Sequence, residues 1–428
     1  VYSEAVKPTV DARCSPLLTG LVGSACLALL SISCLTPPPV ENAAAAGASN
    51  KVAVAAPSLG DFSRTSPELL AKLRLGWNLG NSLDVPDGES AWGNPPATPE
   101  LLAAVAKAGF KLVRIPVTWT RHLGPPPGYA IEPSWLGRVE EVVGHAHAAG
   151  LYSVINLHHD GADGWKEVGW LSLKDGAGKT TDENNARVRA QFVAVWTQIA
   201  RHFANRGEEL LFESMNEIHD GYGKADPRHY AIINELNQQF VSLVRASGGN
   251  NARRHLIVPG YNTNIDQTLE GFKLPADLAK SRLILSVHFY DPYLFTLEAK
   301  THTWGSAAPG RDNWGQEDFV VAQFDKLKSR YVDRGVPVLL GEYGAVHQHD
   351  HSDYQRYYVE YVTKAAVDRG IVPVYWDNGG QNDGANGFAL IDRGANGVYR
   401  PKLMEAMLRA ATSSYALGDV APPAATAK

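Results

Sequence analysis

Two stretches of the chain put a carboxylate where an apolar run stops. "FESMNEIHD" (212–220) closes on Asn216 and Glu217, and "VPVLLGEYG" (336–344) closes on Glu342 and Tyr343. Either alone reads equally well as a strand running out into a polar turn. Together they suggest chemistry. Two carboxylates facing each other across a pocket can hydrolyse a glycosidic bond: at about 5–5.5 Å, one attacks the sugar while the other acts as acid and then as base. Other apolar runs end on compatible groups: Arg114; His158, His159 and Asp160; His288 and Tyr290; Trp376, Asp377 and Asn378. A nearby guanidinium keeps a carboxylate ionised, so Glu342, expected beside Arg114 and Tyr290, reads as the nucleophile. Glu217, expected in less charged surroundings that raise its pKa, reads as the acid/base. Asn216 is placed to hold a sugar hydroxyl, and Trp376 offers a flat apolar floor.

Such groups meet only if the runs that carry them are brought side by side. Eight β-type runs begin near residues 73, 111, 151, 209, 255, 282, 336 and 371, with amphipathic stretches between them. One stretch aligns Val188, Phe192, Val195, Ile199 and Phe203; another aligns Val320, Phe324, Leu327 and Tyr331. Spacings of three and four put each set on one helical face. Continuously apolar runs imply strands buried on both faces, hence a parallel sheet with helical crossovers. Eight strand–helix units in about 350 residues predict an α/β fold, a (β/α)8 TIM barrel whose chemistry sits at the C-terminal ends of its strands. An open doubly wound sheet is the alternative, but the first run is not followed by G-x-G-x-x-G.

The 428 residues carry a net charge of −5, without the basic excess that nucleic acid or an anionic membrane surface would call for. The 10 Trp and 17 Tyr suit sugar faces, although most aromatics in any protein are core. All three cysteines, Cys14, Cys26 and Cys34, lie in the first 34 residues, so the remainder can form neither a disulfide framework nor a zinc–thiolate site. Residues 15–35 are the longest apolar run, preceded by Lys7 and Arg13 and followed by small residues. Residues 1–34 therefore read as an export segment, with a membrane anchor as the alternative, and imply a secreted or envelope-associated protein. "SISC" up to Cys34 resembles a lipoprotein acylation box, with Ser31 where Leu is usual. A Pro/Ala-rich linker is expected over 35–58, one catalytic domain over 59–414 and a flexible tail over 415–428.

The motifs "GWNLGNSLD", "ESAWGNP", "VRIPVTW", "INLHHD", "MNE", "SVHFYDPY", "LGEYG" and "WDNG" occur in that order between residues 76 and 379. In this the chain resembles the cellulases of glycoside hydrolase family 5, most of all their endo-β-1,4-glucanase and xyloglucanase branch. The resemblance implies a retaining mechanism with Glu217 as acid/base and Glu342 as nucleophile. It also implies that Arg114, His158, Asn216, His288, Tyr290 and Trp376 line the central subsite. One departure is Ile218, where many relatives have Pro after the Glu, which bears on leaving-group-side contacts. The expected activity is that of a retaining endo-β-1,4-glucanase on cellulose-type or mixed-linkage glucan. Xyloglucanase, endo-β-mannanase and a non-catalytic carbohydrate-binding barrel are the alternatives. The implied partner is the β-glucan itself; no protein partner, metal or organic cofactor is expected, and the chain should be a monomer.

Some polar groups have plainer readings. Adjacent His158 and His159 should point to opposite faces if they lie on a strand, which disfavours a metal site and leaves His159 a supporting or substrate contact. "HQHDHSD" (347–353) reads as a solvated loop leading into a helix near Tyr354. Trp92, Trp165, Trp170, Trp304 and Trp314 fall in expected loops, where packing and sugar stacking explain a Trp about equally well. Asp377 and Asn378 read as supporting or turn residues.

Overall fold

A computed structural model describes residues 62–161, 169–221, 223 and 225–423. The expected export segment (1–34), the linker (35–58) and Trp165 lie outside the described residues. Eight parallel strands close into a barrel in sequence order: β1 (Gly76–Leu79), β2 (Leu112–Ile115), β3 (Tyr152–Ile155), β4 (Leu210–Glu213), β5 (Leu256–Pro259), β6 (Leu283–Phe289), β7 (Val338–Tyr343) and β8 (Ile371–Asp377). β1 closes the ring against β8, with Asn78 opposite Trp376 on one side and Arg114 on the other. Each strand falls in one of the eight apolar runs. The barrel belongs to one unit, Pro57–Lys428.

Alternation along the strands divides the interior into layers. Leu112, Val154, Leu211, Ile257, Ile284, Leu339, Val372 and Val374 form an apolar cluster inside the barrel. Helix Ser66–Leu73 closes it below, adding Leu69, Leu70 and Leu73 to the same cluster. Two residues further along, the inward positions become polar: Arg114 after Leu112, Asn156 after Val154, Glu213 after Leu211, Ser286 after Ile284. The opposite strand faces and the outer helices form the larger core. There Phe192, Val195 and Ile199 of helix Asp182–His202 and Val320, Phe324 and Leu327 of helix Glu317–Arg330 are buried, as their spacing predicts.

β7 departs from simple alternation. Its register slips by one residue against both neighbours: His288 of β6 pairs with Glu342, although Val287 pairs with Leu340. The extra residue is Gly341. A bulge of this kind reverses which face the following side chains point to, so Glu342 turns into the barrel and Tyr343 turns outward to Thr363, 2.6 Å away. A Cβ on Gly341 would lie 2.8 Å from Ser286 Oγ and 3.1 Å from His288 Nε2.

The expected tail differs from what is seen. Tyr415 hydroxyl donates to Glu360 Oε1 at 2.9 Å and Val420 is buried, so the chain stays packed through residue 420. Apolar side chains at 415, 417 and 420 held against the helix Ser352–Val367 side of the core outweigh the Pro/Ala-rich composition that follows.

Candidate active site

At the C-terminal end of the barrel, Arg114 organises the polar layer. It is completely buried. Its Nε donates to Glu213 (2.7 Å), Nη1 to Glu342 (2.7 Å) and Asn78 (3.0 Å), and Nη2 to Asn216 (2.7 Å). Burial opposes its charge, yet Glu213 and Glu342 hold its pKa above the ordinary value. Glu342 also accepts from the Tyr290 hydroxyl at 3.1 Å. Asn78 in turn donates to the carbonyl of Gly341 at 2.9 Å, bracing the bulge that aims Glu342.

Glu217 lies beyond the paired part of β4, which stops at Glu213. The chain stays extended there because Ser214 N donates to Ile257 O (3.0 Å) and Asn216 N to Leu157 O (2.9 Å). Glu217 Oε1 and His288 Nδ1 are 2.5 Å apart, and the same His nitrogen is 3.7 Å from Glu342. Oxygens of the two glutamates lie within 4.8 Å of each other. Glu217 is the open one: its side chain is 32% exposed against 8% for Glu342.

The electrostatics differ from the sequence expectation. Glu217 is not in less charged surroundings. Burial pushes its pKa up, but the hydrogen bond and charge of His288 outweigh that and hold it below the ordinary value. Glu342 is held above the ordinary value by burial, with the Glu217 charge adding to it, against the pull of His288 and Arg114. The physical reason is that burial prevails at Glu342, whereas at Glu217 the close His288 outweighs it.

The remaining expected residues gather round this pair. His158 is buried and neutral: burial, then the charges of His159, Arg114 and His288, push its pKa well down. Its ring lies parallel to Trp376, 5.9 Å between centroids. His158 and His159 do not point to opposite faces. Both follow the end of β3, free of the strand's alternation, and their rings meet edge to face at 4.6 Å. His159 Nε2 lies 3.6 Å from Asp84, and its ring 5.7 Å from that of Trp92. Trp92, His159 and Trp376 line a cleft of about 840 Å3, with Asn81, Asn378 and Phe388. Asp84, His158 and His159 form one cluster that could hold a cation, but Asp84 already accepts from Asn81 N (3.0 Å) and Ser82 N (2.7 Å). Glu217, His288 and Glu342 form a second such cluster.

The loop tryptophans divide. Trp170 donates to Asp160 at 3.0 Å, and Trp304 is buried among Tyr357, Tyr358 and Tyr361, so both are packing residues. Trp92 faces the cleft and Trp314 is exposed. Asp377 accepts from Trp77 Nε1, Leu390 N and Ile391 N, each at 2.9 Å, and Asn378 from Gly380 N, as befits supporting and turn residues. Sequence reasoning missed Asn78, Asn156, Glu213 and Ser286. Asn156, Glu213 and Ser286 each interrupt an apolar run two positions after an inward aliphatic, and Asn78 stands two positions after Gly76.

Residues 78–382 match the family model of the cellulases, glycosyl hydrolase family 5. The chain belongs to this family. It is 38% identical to endoglucanase A of Paenibacillus barcinonensis over 81% of this chain and 90% of that protein. Among solved structures it is similar to a broad-specificity endoglucanase from Bacteroides salanitronis, with 46% identity, a TM-score of 0.78, and 83% of this chain and 98% of that one covered. A xyloglucanase of Bacteroides ovatus, solved with a heptasaccharide, matches at 32% identity and a TM-score of 0.73, over 83% and 79%. A family 5 hydrolase needs a nucleophile and a proton donor, and the barrel presents two carboxylates in reach of one another.

Proposed function

We propose that Glu342 is the nucleophile and Glu217 the acid/base of this retaining endo-β-1,4-glucanase, acting on cellulose-type or mixed-linkage glucan. The approach of the two carboxylates to within 4.8 Å carries the reading. It suits the short spacing of retaining enzymes and leaves no room for the water that an inverting enzyme holds between its carboxylates. Glu342 is held from two sides by Arg114 and Tyr290, which fixes an attacking oxygen beneath the sugar. Glu217 stands at the open side, where a leaving group departs. Glu217 Oε1 lies 2.5 Å from His288 Nδ1, so His288 orients the acid carboxyl. In the first step a Glu342 oxygen bonds to the anomeric carbon as the glycosidic C–O bond breaks. The leaving oxygen takes the proton from Glu217. Water, deprotonated by Glu217, then releases the sugar from Glu342. Asn216, oriented by Arg114, is within reach of a sugar hydroxyl, and Trp376 with its parallel His158 gives the ring an apolar face.

The substrate is a polymer too large to enter a cell, and we place the enzyme outside the cytoplasm, as a monomer. Xyloglucan is the second substrate reading, favoured by the similarity to the Bacteroides ovatus xyloglucanase; relative kcat/KM on mixed-linkage glucan and xyloglucan separates the two.

Azide tests the assignment of roles. Glu217→Ala should retain glycosylation by an activated aryl β-glycoside and be rescued by azide, giving the β-glycosyl azide. Glu342→Gly should be inactive on polysaccharide and aryl glycoside alike. With a β-glycosyl fluoride as donor, azide should fill its vacated floor, displace fluoride and give the α-azide. If the two anomers are exchanged, the two roles must be exchanged.

A further inference from the structure

We propose that Glu213 is a positioning residue for the covalent step: it is the fixed counter-ion that keeps Arg114 neutralised while Glu342 changes from carboxylate to ester. The inference rests on the reading of Glu342 as nucleophile.

Glu213 is fully buried, one layer beneath the reacting pair. Three donors hold it, each from a different part of the barrel: Arg114 Nε at 2.7 Å, Asn156 Nδ2 at 2.9 Å and Ser286 Oγ at 2.9 Å. A carboxylate in such a place is costly to desolvate, and packing alone would be served by an amide or an aliphatic. What the charge adds follows from the electron count of the reaction. Before reaction, Arg114 faces two anions, Glu213 and Glu342. When a Glu342 oxygen bonds to the anomeric carbon and the electrons of the broken C–O bond leave with the protonated alcohol, Glu342 becomes a neutral ester. Arg114 cannot follow it, because it has no route to solvent. With Glu213 in place, the guanidinium stays half of a neutral pair. Without it, the glycosyl-enzyme would contain a buried, uncompensated cation.

The same bond has a second effect. Glu213 takes Nε and thereby fixes the plane of the fork, which leaves Nη1 for Glu342 and Nη2 for Asn216. The charged and titratable groups facing Glu342 are Arg114 from β2, His288 and Tyr290 from β6 and its exit, and Glu217 from beyond β4. His158, beside Asn156, is neutral through burial. Of these, His288 is shared with Glu217, and Arg114 is shared with Glu213, a carboxylate that takes no part in the bond changes. Removing the Glu213 charge therefore gives Glu342 the whole cation, stabilises its anion and makes it a poorer nucleophile.

The test uses the full chain and an aryl β-cellobioside. Glu213→Gln should shift the acid limb of the kcat/KM profile to lower pH by about one unit. It should also slow the glycosylation burst on the order of tenfold to a hundredfold. Glu213→Asp, which keeps the charge but shortens its reach, should slow the burst with the acid limb unmoved. A purely structural residue would lower activity in both variants and move neither limb, and that result overturns the inference. Should Glu213→Gln not fold, Ser286→Ala withdraws one donor from Glu213 and leaves its negative charge less screened. The acid limb should then move to higher pH, and a limb that stays or falls overturns the proposal. A 2-fluoro glycoside trap on the wild-type enzyme keeps the two readings apart. A label away from Glu342 defeats the assignment of the nucleophile. A label on Glu342 with an unmoved limb in Glu213→Gln defeats only the role given to Glu213.

Discussion

His288 touches both acids, and its removal should move the whole pH profile in one direction. Burial raises the pKa of Glu217, and the His288 hydrogen bond and charge more than cancel that rise. The same His lowers Glu342, where burial nevertheless prevails. Both carboxyls thus lose a group that favours their charged form in His288→Ala. Each pKa rises, and both limbs of the kcat/KM profile should shift to higher pH, by about one to two units for the group in closer contact, Glu217. A fall in rate with neither limb displaced would mean that His288 only fills space. The glutamates themselves were legible in the chain, since each ends an apolar run with an amide or tyrosine beside it. The order of their pKa shifts was not, because it depends on burial and on the 2.5 Å contact of Glu217 with His288, set by strands far apart in sequence.

At the scale of elements, the eight strands and two of the helices could be read from periodicity alone. The direction of Glu342 could not. Counting alternate residues from Leu339 would point Gly341 and Tyr343 inward; only the register slip at Gly341 reverses this. Nor did periodicity reveal what lies under the barrel. Ser66, at the start of helix Ser66–Leu73, bonds His255 Nδ1 at 2.8 Å, and Arg282 donates to the other ring nitrogen at 3.0 Å. Burial, then the charges of Arg282, Arg245 and Arg254, push His255 down to about 3. Its folded pKa is below the unfolded value of about 6.5, so the unfolded chain binds the extra proton. Stability from this group is complete above about pH 6.5 and is lost as pH falls towards 3, by about 1.4 kcal/mol per pH unit at most. His255→Gln should be less stable at pH 8, yet its melting temperature should fall less steeply between pH 6 and 4 than that of the wild type. Parallel pH slopes for the two proteins would rule out His255 as a source of acid sensitivity.

For the whole molecule, the side chains that meet at the reacting pair and line its cleft lie between Asn78 and Phe388, on the strands of the closed barrel and the loops that follow them. The floor, by contrast, is supplied from the N-terminal side: Leu69, Leu70 and Leu73 are buried against the strands' inward aliphatics. Phe62 and Arg64 offer their carbonyls to Arg282 just ahead of that helix. These two observations predict opposite outcomes for two truncations. A chain beginning at Pro57 retains the floor and every site residue, and its kcat/KM on soluble mixed-linkage glucan should stay within about twofold of the full chain. A chain beginning at Leu75 keeps all the site residues but opens the apolar layer to water. Losing a buried leucine side chain costs about 2–5 kcal/mol, and three are lost together, which approaches the whole stability of an ordinary domain. This second chain should be insoluble or unfolded at 25 °C by circular dichroism and release no reducing sugar. A Leu75-initiated chain that melts like the longer one would show that the helix covers the barrel without supporting it. A Pro57-initiated chain that folds but fails on the soluble glucan would mean that residues 1–56 take part in catalysis.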